Sequence, residues 1–425
     1  MKQTICIMND SFPPQIDGVA NTAANYASII ERDLGHSIVV TPEFPEKDDS
    51  VFRFPVIRYP SLDARWFIGY MAGIPFSPTV AKQLRKENTA VMHCHCPSAS
   101  LVLARELRNS IDVPVVFTYH TKYDVDIAKA LKSDLLTDGA IRIMIENISA
   151  CDEVWTVSRG AGENLKSLGF EGDYIVMENG VDMPLGRASE GSIASAVEGY
   201  DLPGEVPVFL FVGRMMWYKG IRIILDALEG LKQQGVDFRM VFIGSGADLE
   251  EIRSYSDSLK LQDRCIFTGA IRDREILKAW YSRADLFLFP STYDTNGLVV
   301  REAAACSLAS VLVEGSCAAE GVAPDRNGFL ISESPASLAV MLYRLCQKPE
   351  AMKMAGELAA KELYISWDTA VTKAYERYQT VIDYHRSGKY QKRRKLSDHL
   401  LNRQGELMSA LSRIPKPEEL LDRYL

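Results

Sequence analysis

Asp294 and Glu302 stand eight positions apart in STYDTNGLVVREAAA, residues 291–305, with Gly297 between them. Two carboxylates so placed can work as acid and base, as separate grips on one ligand, or as solvated helix acids. The stretch follows the apolar run LFLFP, so a strand leads through a short polar loop into a helix that begins near Gly297. Eight residues of helix rise about 12 Å, whereas the carboxyls of glycoside hydrolases stand roughly 5–9.5 Å apart. The spacing disfavours a hydrolytic pair and suits two contacts on one long ligand, each carboxylate accepting hydrogen bonds from hydroxyls. The helix start between them offers free N–H groups and a positive dipole end, which suit a phosphate. Sugar, phosphate and ribose in a row satisfy that layout. Two acids exposed on a first helical turn remain the plain alternative.

Other stretches carry weaker signals. In VGRMMWYKG (212–220) a strand end releases Arg214, and Lys219 follows just before Gly220. Two cations beside one turn could neutralise a diphosphate leaving group, although a cation at a strand end is often only solvated. FIGSGAD (242–248) has a GxG after a strand but lacks the third glycine of the dinucleotide fingerprint, and reads as a turn. TYHT (118–121) places His120 at the end of an apolar strand, where it can serve a ligand or the structure equally well. In HCHC (93–96) a strand puts both histidines on one face and both cysteines on the other, so the four cannot close one tetrahedral metal site.

The elements that must position these residues alternate strand and helix. TICIM, GHSIVVTP, AVMHCHCP, VPVVFTYHT and EVWTVS read as short buried strands of a first half. PVFLFVGR, FRMVFIGSG, CIFTGA, DLFLFP and SVLVEG repeat the pattern in a second. Such alternation implies parallel sheets covered on both faces. The 425 residues suit two domains of ordinary size. The expected fold class is α/β, two doubly wound Rossmann-like domains facing a cleft, with ligands at the carboxyl ends of the strands. The expected divisions are an N-terminal domain over 1–185, a Gly-, Ser-, Ala- and Pro-rich linker over 186–206, a second domain over 207–365, a helix over 366–385 and a helical tail over 386–425. The tail opens on KYQKRRK, five basic residues in seven, followed by an amphipathic pattern through Ile414.

Apolar content of 47% and charged content of 24% are those of a globular protein, and a net charge of −8 argues against a surface built wholly for nucleic acid. The N-terminus is too short and polar for a signal peptide, and no run of about 20 apolar residues exists. Eight cysteines lack a framework spacing, as free thiols in a reducing cytosol do. WFIGYMAGIPF (66–76) reads either as a buried helix or as an apolar surface that meets lipid.

Taken together, these stretches resemble the retaining glycosyltransferases of family 4 with the GT-B fold, over most of residues 1–385. FPPQIDGVAN, GHSIVVTP, TYHT, TVSRG and ENGVD are similar to landmarks of that family's N-domain. FLFVGRMMWYKG, FIGSGADLEEI, FTGAIRDREILKAWYSRADLFLFPS and STYDTNGLVVREAAAC follow its C-domain in order and spacing. The resemblance implies that Glu302 holds the donor ribose and that Asp294 and His120 lie by the donor sugar. It implies that Arg214 and Lys219 hold the diphosphate with N–H groups near Leu298 and Val299. Gly18 would let the first loop approach the phosphates, Gly297 and Asn296 would belong to the donor-binding site, and the helix from 366 would return to the N-domain. It further implies transfer from a nucleotide-sugar, in particular a UDP-sugar, by same-face attack without a bound metal or cofactor.

The chain also departs from the family. The first family glutamate is Asp294, the usual aromatic two positions on is Asn296, and Ser307 and Ala309 stand where glycine and proline are usual. A glycine pair of the first loop is reduced to Asp17-Gly18. Within the family, FPPQIDGVAN with TYHT is most similar to bacterial enzymes that glycosylate diacylglycerol. That implies a lipid acceptor and a cytoplasmic protein peripheral on the inner membrane face, to which the basic tail could add. A soluble sugar or protein acceptor, a nucleotide-sugar epimerase, and a non-catalytic interaction subunit with an altered donor site stay open as alternatives.

Overall fold

The computed structural model describes residues 3–15, 17–68, 70–131 and 133–390. The chain divides into two compact units, one running to Glu178 and resuming at Trp367, the other spanning Asn179–Ser366. The tail expected over 386–425 lies outside the described residues from 391 onward.

The first unit is built on β1 (Thr4–Met8), β2 (His36–Pro42), β3 (Val56–Tyr59), β6 (Thr89–Cys94), β7 (Val115–Tyr119), β8 (Glu153–Thr156) and β9 (Ile175–Val176). A small antiparallel pair, β4 (Ser61–Asp63) and β5 (Met71–Gly73), stands apart from this sheet. The seven strands pair in parallel in the order β3-β2-β1-β6-β7-β8-β9. β1, β7 and β8 are buried along their whole length, as expected of Val-, Ile- and aromatic-rich strands covered on both faces. The helix Trp367–Arg386 packs in this unit. Its buried Tyr378 stacks on Trp155, and Arg377 pairs with Glu153 through two hydrogen bonds.

The second unit carries β10 (Val208–Val212), β11 (Arg239–Ile243), β12 (Cys265–Gly269), β13 (Leu286–Phe289), β14 (Ser310–Val313) and β15 (Phe329–Ile331), all parallel, in the order β12-β11-β10-β13-β14-β15. Both sheets reverse direction of strand order once, between β1 and β6 and between β10 and β13. A doubly wound sheet binds its ligands at such a switch point, beyond the carboxyl ends of the strands.

Two expectations need correcting. The segment 186–206 is not a linker: it belongs to the second unit, where Ser189 caps a helix over Glu190–Ala196 and Ile193 is buried. Small polar residues there mark a capped surface helix rather than a flexible tether, and the first unit accordingly ends before 185. WFIGYMAGIPF is not a buried helix either. It forms a single turn, Arg65–Ile68, and then β5; Trp66 is 87% exposed while Met71 is buried. Among the described residues no helix is long and apolar enough to cross a membrane.

Candidate active site

The loop after β10 and the loop after β13 flank the switch point of the second unit. The first carries Arg214 and Lys219 and ends on Gly220, whose φ of +77° opens the helix Ile221–Gln233. A Cβ at Gly220 would sit 2.2 Å from the carbonyl oxygen of Pro290, in the loop after β13. Glycine therefore lets the two loops touch, and it brings Lys219 to Asp294. Gly220→Ala combines a left-handed backbone with this overlap, for an expected loss of at least about 2 kcal/mol. Thermal unfolding should show it as a fall in Tm.

Lys219 is buried, and its Nζ lies 2.6 Å from Asp294 Oδ1. The rings of Tyr218, Phe289 and Tyr293 surround the ammonium at 5.6, 5.9 and 5.8 Å. The other Asp294 oxygen accepts from Ser291 Oγ at 2.6 Å. Arg214 is exposed, its guanidinium 6.0 Å from the Tyr218 ring. Gly244 and Gly246, the GxG that reads as a turn, press against this loop. A Cβ on either would meet the carbonyl oxygen of Gly213 at 1.8 Å or of Met215 at 2.3 Å. These glycines serve backbone packing beneath Arg214.

Gly297, at φ +60°, opens the helix Leu298–Ala305. Its Cα lies against Ala318, where a Cβ would approach within 2.8 Å. No side chain caps this helix, in contrast to those begun by Asp17, Ser158, Asp273 and Ser334. The N–H groups of Leu298 and Val299 thus open the helix without a side-chain acceptor, the arrangement that binds an anion. Asn296 beside them is buried, and its Nδ2 has no hydrogen-bond partner among the described residues.

Glu302, one turn into that helix, accepts from Arg274 Nη2 at 2.8 Å and from the buried Tyr281 hydroxyl at 3.0 Å. Asp294 and Glu302 therefore have separate cations and separate hydroxyl donors. That is the chemistry of two fixed acceptors rather than of a carboxylate pair sharing a proton. Ser291, Arg274 and Tyr281 went unread in the sequence. Arg274 and Tyr281 sit seven residues apart, two turns along one helix face, and that spacing was the available signal.

In the first unit, Gly18 begins the helix Gly18–Ile29, is exposed, and has open space where a Cβ would be. Asp17 caps the same helix through the N–H groups of Val19 and Ala20. His120 follows directly on β7 and pairs through Nε2 with His95 Nδ1 at 2.9 Å. His93 bridges the Tyr378 hydroxyl at 2.5 Å and Thr118 Oγ1 at 2.7 Å. His93 and His95 share one face, their ring centres 4.1 Å apart, while Cys94 points into the opposite core.

Burial drives all three imidazoles below their ordinary pKa, His120 to about 3, so they are neutral near pH 7. Between about 3 and the unfolded value near 6.5, the unfolded chain binds protons that the folded His120 refuses. The contribution of these histidines to stability is therefore flat above about pH 6.5 and falls as pH drops toward 3. Urea midpoints across that range should show the decline, and His120→Gln should shallow it.

Residues 16–184 match the Glycosyltransferase Family 4 model, and residues 195–362 match the Glycosyl transferases group 1 model. The chain is 24% identical to the α-monoglucosyldiacylglycerol synthase of Acholeplasma laidlawii, over 85% of this chain and 94% of that protein. It is 23% identical to the synthase of the same name from Streptococcus pneumoniae, over 71% and 69%. The fold is similar to Anabaena HepE in complex with UDP, with a TM-score of 0.70 at 17% identity, over 89% of this chain and all of that one. It is similar also to the sucrose-phosphate synthase of Thermosynechococcus elongatus, at 0.71 and 19%, over 90% and 100%. With a Glycosyltransferase Family 4 domain over residues 16–184 and a Glycosyl transferases group 1 domain over residues 195–362, the chain is a glycosyltransferase built of these two domains.

Proposed function

We propose that the protein transfers a sugar from a UDP-sugar to diacylglycerol, with retention of configuration, at the cytoplasmic face of a membrane. The observation that carries the donor half is the row Lys219–Asp294, uncapped helix start, Glu302. In that row Asp294 takes donor-sugar hydroxyls, helped by Asn296, whose buried Nδ2 lacks an acceptor among the described residues. Lys219, Arg214 and the N–H groups of Leu298 and Val299 take the diphosphate. Glu302 takes the ribose.

Chemically, the acceptor oxygen bonds to the anomeric carbon on the face from which the diphosphate departs. The carbon–oxygen bond to the β-phosphate breaks, and the acceptor proton passes to a phosphate oxygen. The cations and helix start stabilise charge that grows on the leaving group. His120 is too weakly basic to take that proton near pH 7, so its part is a hydrogen bond to a hydroxyl. No step in this scheme calls on a metal.

The lipid acceptor is supported by two relatives named for diacylglycerol products. The test is product analysis after incubation with UDP-sugars and vesicles containing diacylglycerol. A glycolipid with the donor's anomeric configuration is the expected product. Inverted product refutes retention, and transfer only to a soluble sugar or protein refutes the lipid acceptor.

A further inference from the structure

Glu302 is 13% exposed on its side chain and held at both oxygens, by Arg274 at Oε1 and by Tyr281 at Oε2. Tyr281 is fully buried, so its phenol is a fixed donor. Arg274 stands at the first position of the helix Arg274–Arg283, after the Asp273 cap. It gives one nitrogen to Glu302, while its buried Nε has no partner among the described residues. Burial works against its charge, but Glu302, Asp182 of the ENGVD stretch and Tyr281 outweigh that and hold it protonated.

A carboxylate offers about four lone-pair sites. Arg274 and Tyr281 use one on each oxygen, and one on each oxygen remains. The carboxylate plane is thereby fixed with two acceptor sites still open, which matches the two O–H donors of a vicinal diol. A glutamate free to rotate would lose side-chain freedom when it bound such a diol. In this site that freedom is already gone before the ligand arrives.

We infer that Arg274 is a positioning residue for the nucleotide ribose, acting through Glu302 by fixing its carboxylate toward the 2′- and 3′-hydroxyls. The inference rests on the reading of Glu302 as the ribose ligand. It adds that affinity for the diol depends on a cation outside the diphosphate site.

The experiment is calorimetric titration of the full chain with UDP, GDP and ADP, each beside its 2′,3′-dideoxy counterpart. It uses wild type, Arg274→Met and Tyr281→Phe. Wild type should bind its preferred ribonucleotide at least about tenfold more tightly than the dideoxy form, a difference of about 1.4 kcal/mol. Arg274→Met should lose about five- to tenfold for the ribonucleotide and less than about twofold for the dideoxy form. Should Arg274→Met fail to fold, Tyr281→Phe removes the other fixing contact and reads the same selective loss. Equal losses for both ligands, or none, overturn the role given to Arg274. Wild type that binds a nucleotide without favouring the ribose form, or binds none, overturns the reading of Glu302 and this inference with it.

Discussion

Lys219→Ala is expected to lower kcat/KM at least about tenfold, the loss of roughly 1.4 kcal/mol of transition-state stabilisation. Removal of a preorganised electrostatic donor commonly costs about 10²–10³ in kcat. The burial of Lys219 among three aromatic rings points to the upper part of that range. Charge on the leaving diphosphate develops in the transition state, so most of the loss should fall on kcat rather than KM. The substitution also strips Asp294 of its cation and leaves Ser291 as its remaining close donor. Circular dichroism and unfolding curves separate that structural cost from the chemical one. Steady-state kinetics with saturating acceptor give the split. Unchanged kcat in a folded variant would remove Lys219 from the diphosphate site.

Glu302→Gln should also lower kcat/KM at least about tenfold, with the weight on the other parameter. The amide keeps the shape of the side chain but loses its charge. A hydrogen bond to a charged acceptor contributes about 1.5–3 kcal/mol, and its neutral replacement less. The ribose lies away from the reacting bond, so the contact is made in ground and transition states alike and its loss should raise KM for the donor. The variant also leaves Arg274 facing an amide that cannot neutralise it. Donor titration at fixed acceptor measures the change. A normal KM in this variant would mean that the ribose is held elsewhere.

The fold was legible because its signals are local. Apolar runs such as TICIM and DLFLFP, each followed by a helical period, mark parallel strands directly, and β1 and β13 lie on those runs. The strands missed are those whose pairing decides them. β3 alternates in burial at the edge of its sheet, β9 has two residues, and β15 has three. The supposed linker misled because Ser and Gly serve helix caps and surface helices as readily as tethers. Within the candidate site, Gly297 could be read as a helix start because a glycine after a polar loop marks a change of backbone direction. Its contact with Ala318 could not be read, since that neighbour is distant in sequence. The same limit hid the partners of the two acids. Lys219 and Asp294 are 75 positions apart, and Arg274 and Glu302 are 28. Only the order β12-β11-β10-β13 makes the first of these pairs neighbours.

The structure also sharpens what the departures from the family pattern mean. Asp294, one methylene shorter than glutamate, is drawn onto Lys219 and Ser291 and is not left loose. Asn296 is buried with a donor unused among the described residues, so the position has exchanged an aromatic ring for a hydrogen-bonding group. Ser307 takes φ +58°, and its carbonyl packs where a Cβ on Gly356 would come within 2.1 Å. Ser307 thus holds a left-handed backbone that glycine adopts more readily.

In the proposed function, the row from Asp294 to Glu302 cradles a nucleotide-sugar that is consumed in transfer. The most direct test follows nucleoside diphosphate release by the purified full chain from UDP-, GDP- and ADP-sugars, with and without diacylglycerol vesicles. The expected result is release from a UDP-sugar that depends on the vesicles and matches the glycolipid formed. A nucleotide-sugar converted to its epimer without acceptor, or no turnover of any donor, would contradict it.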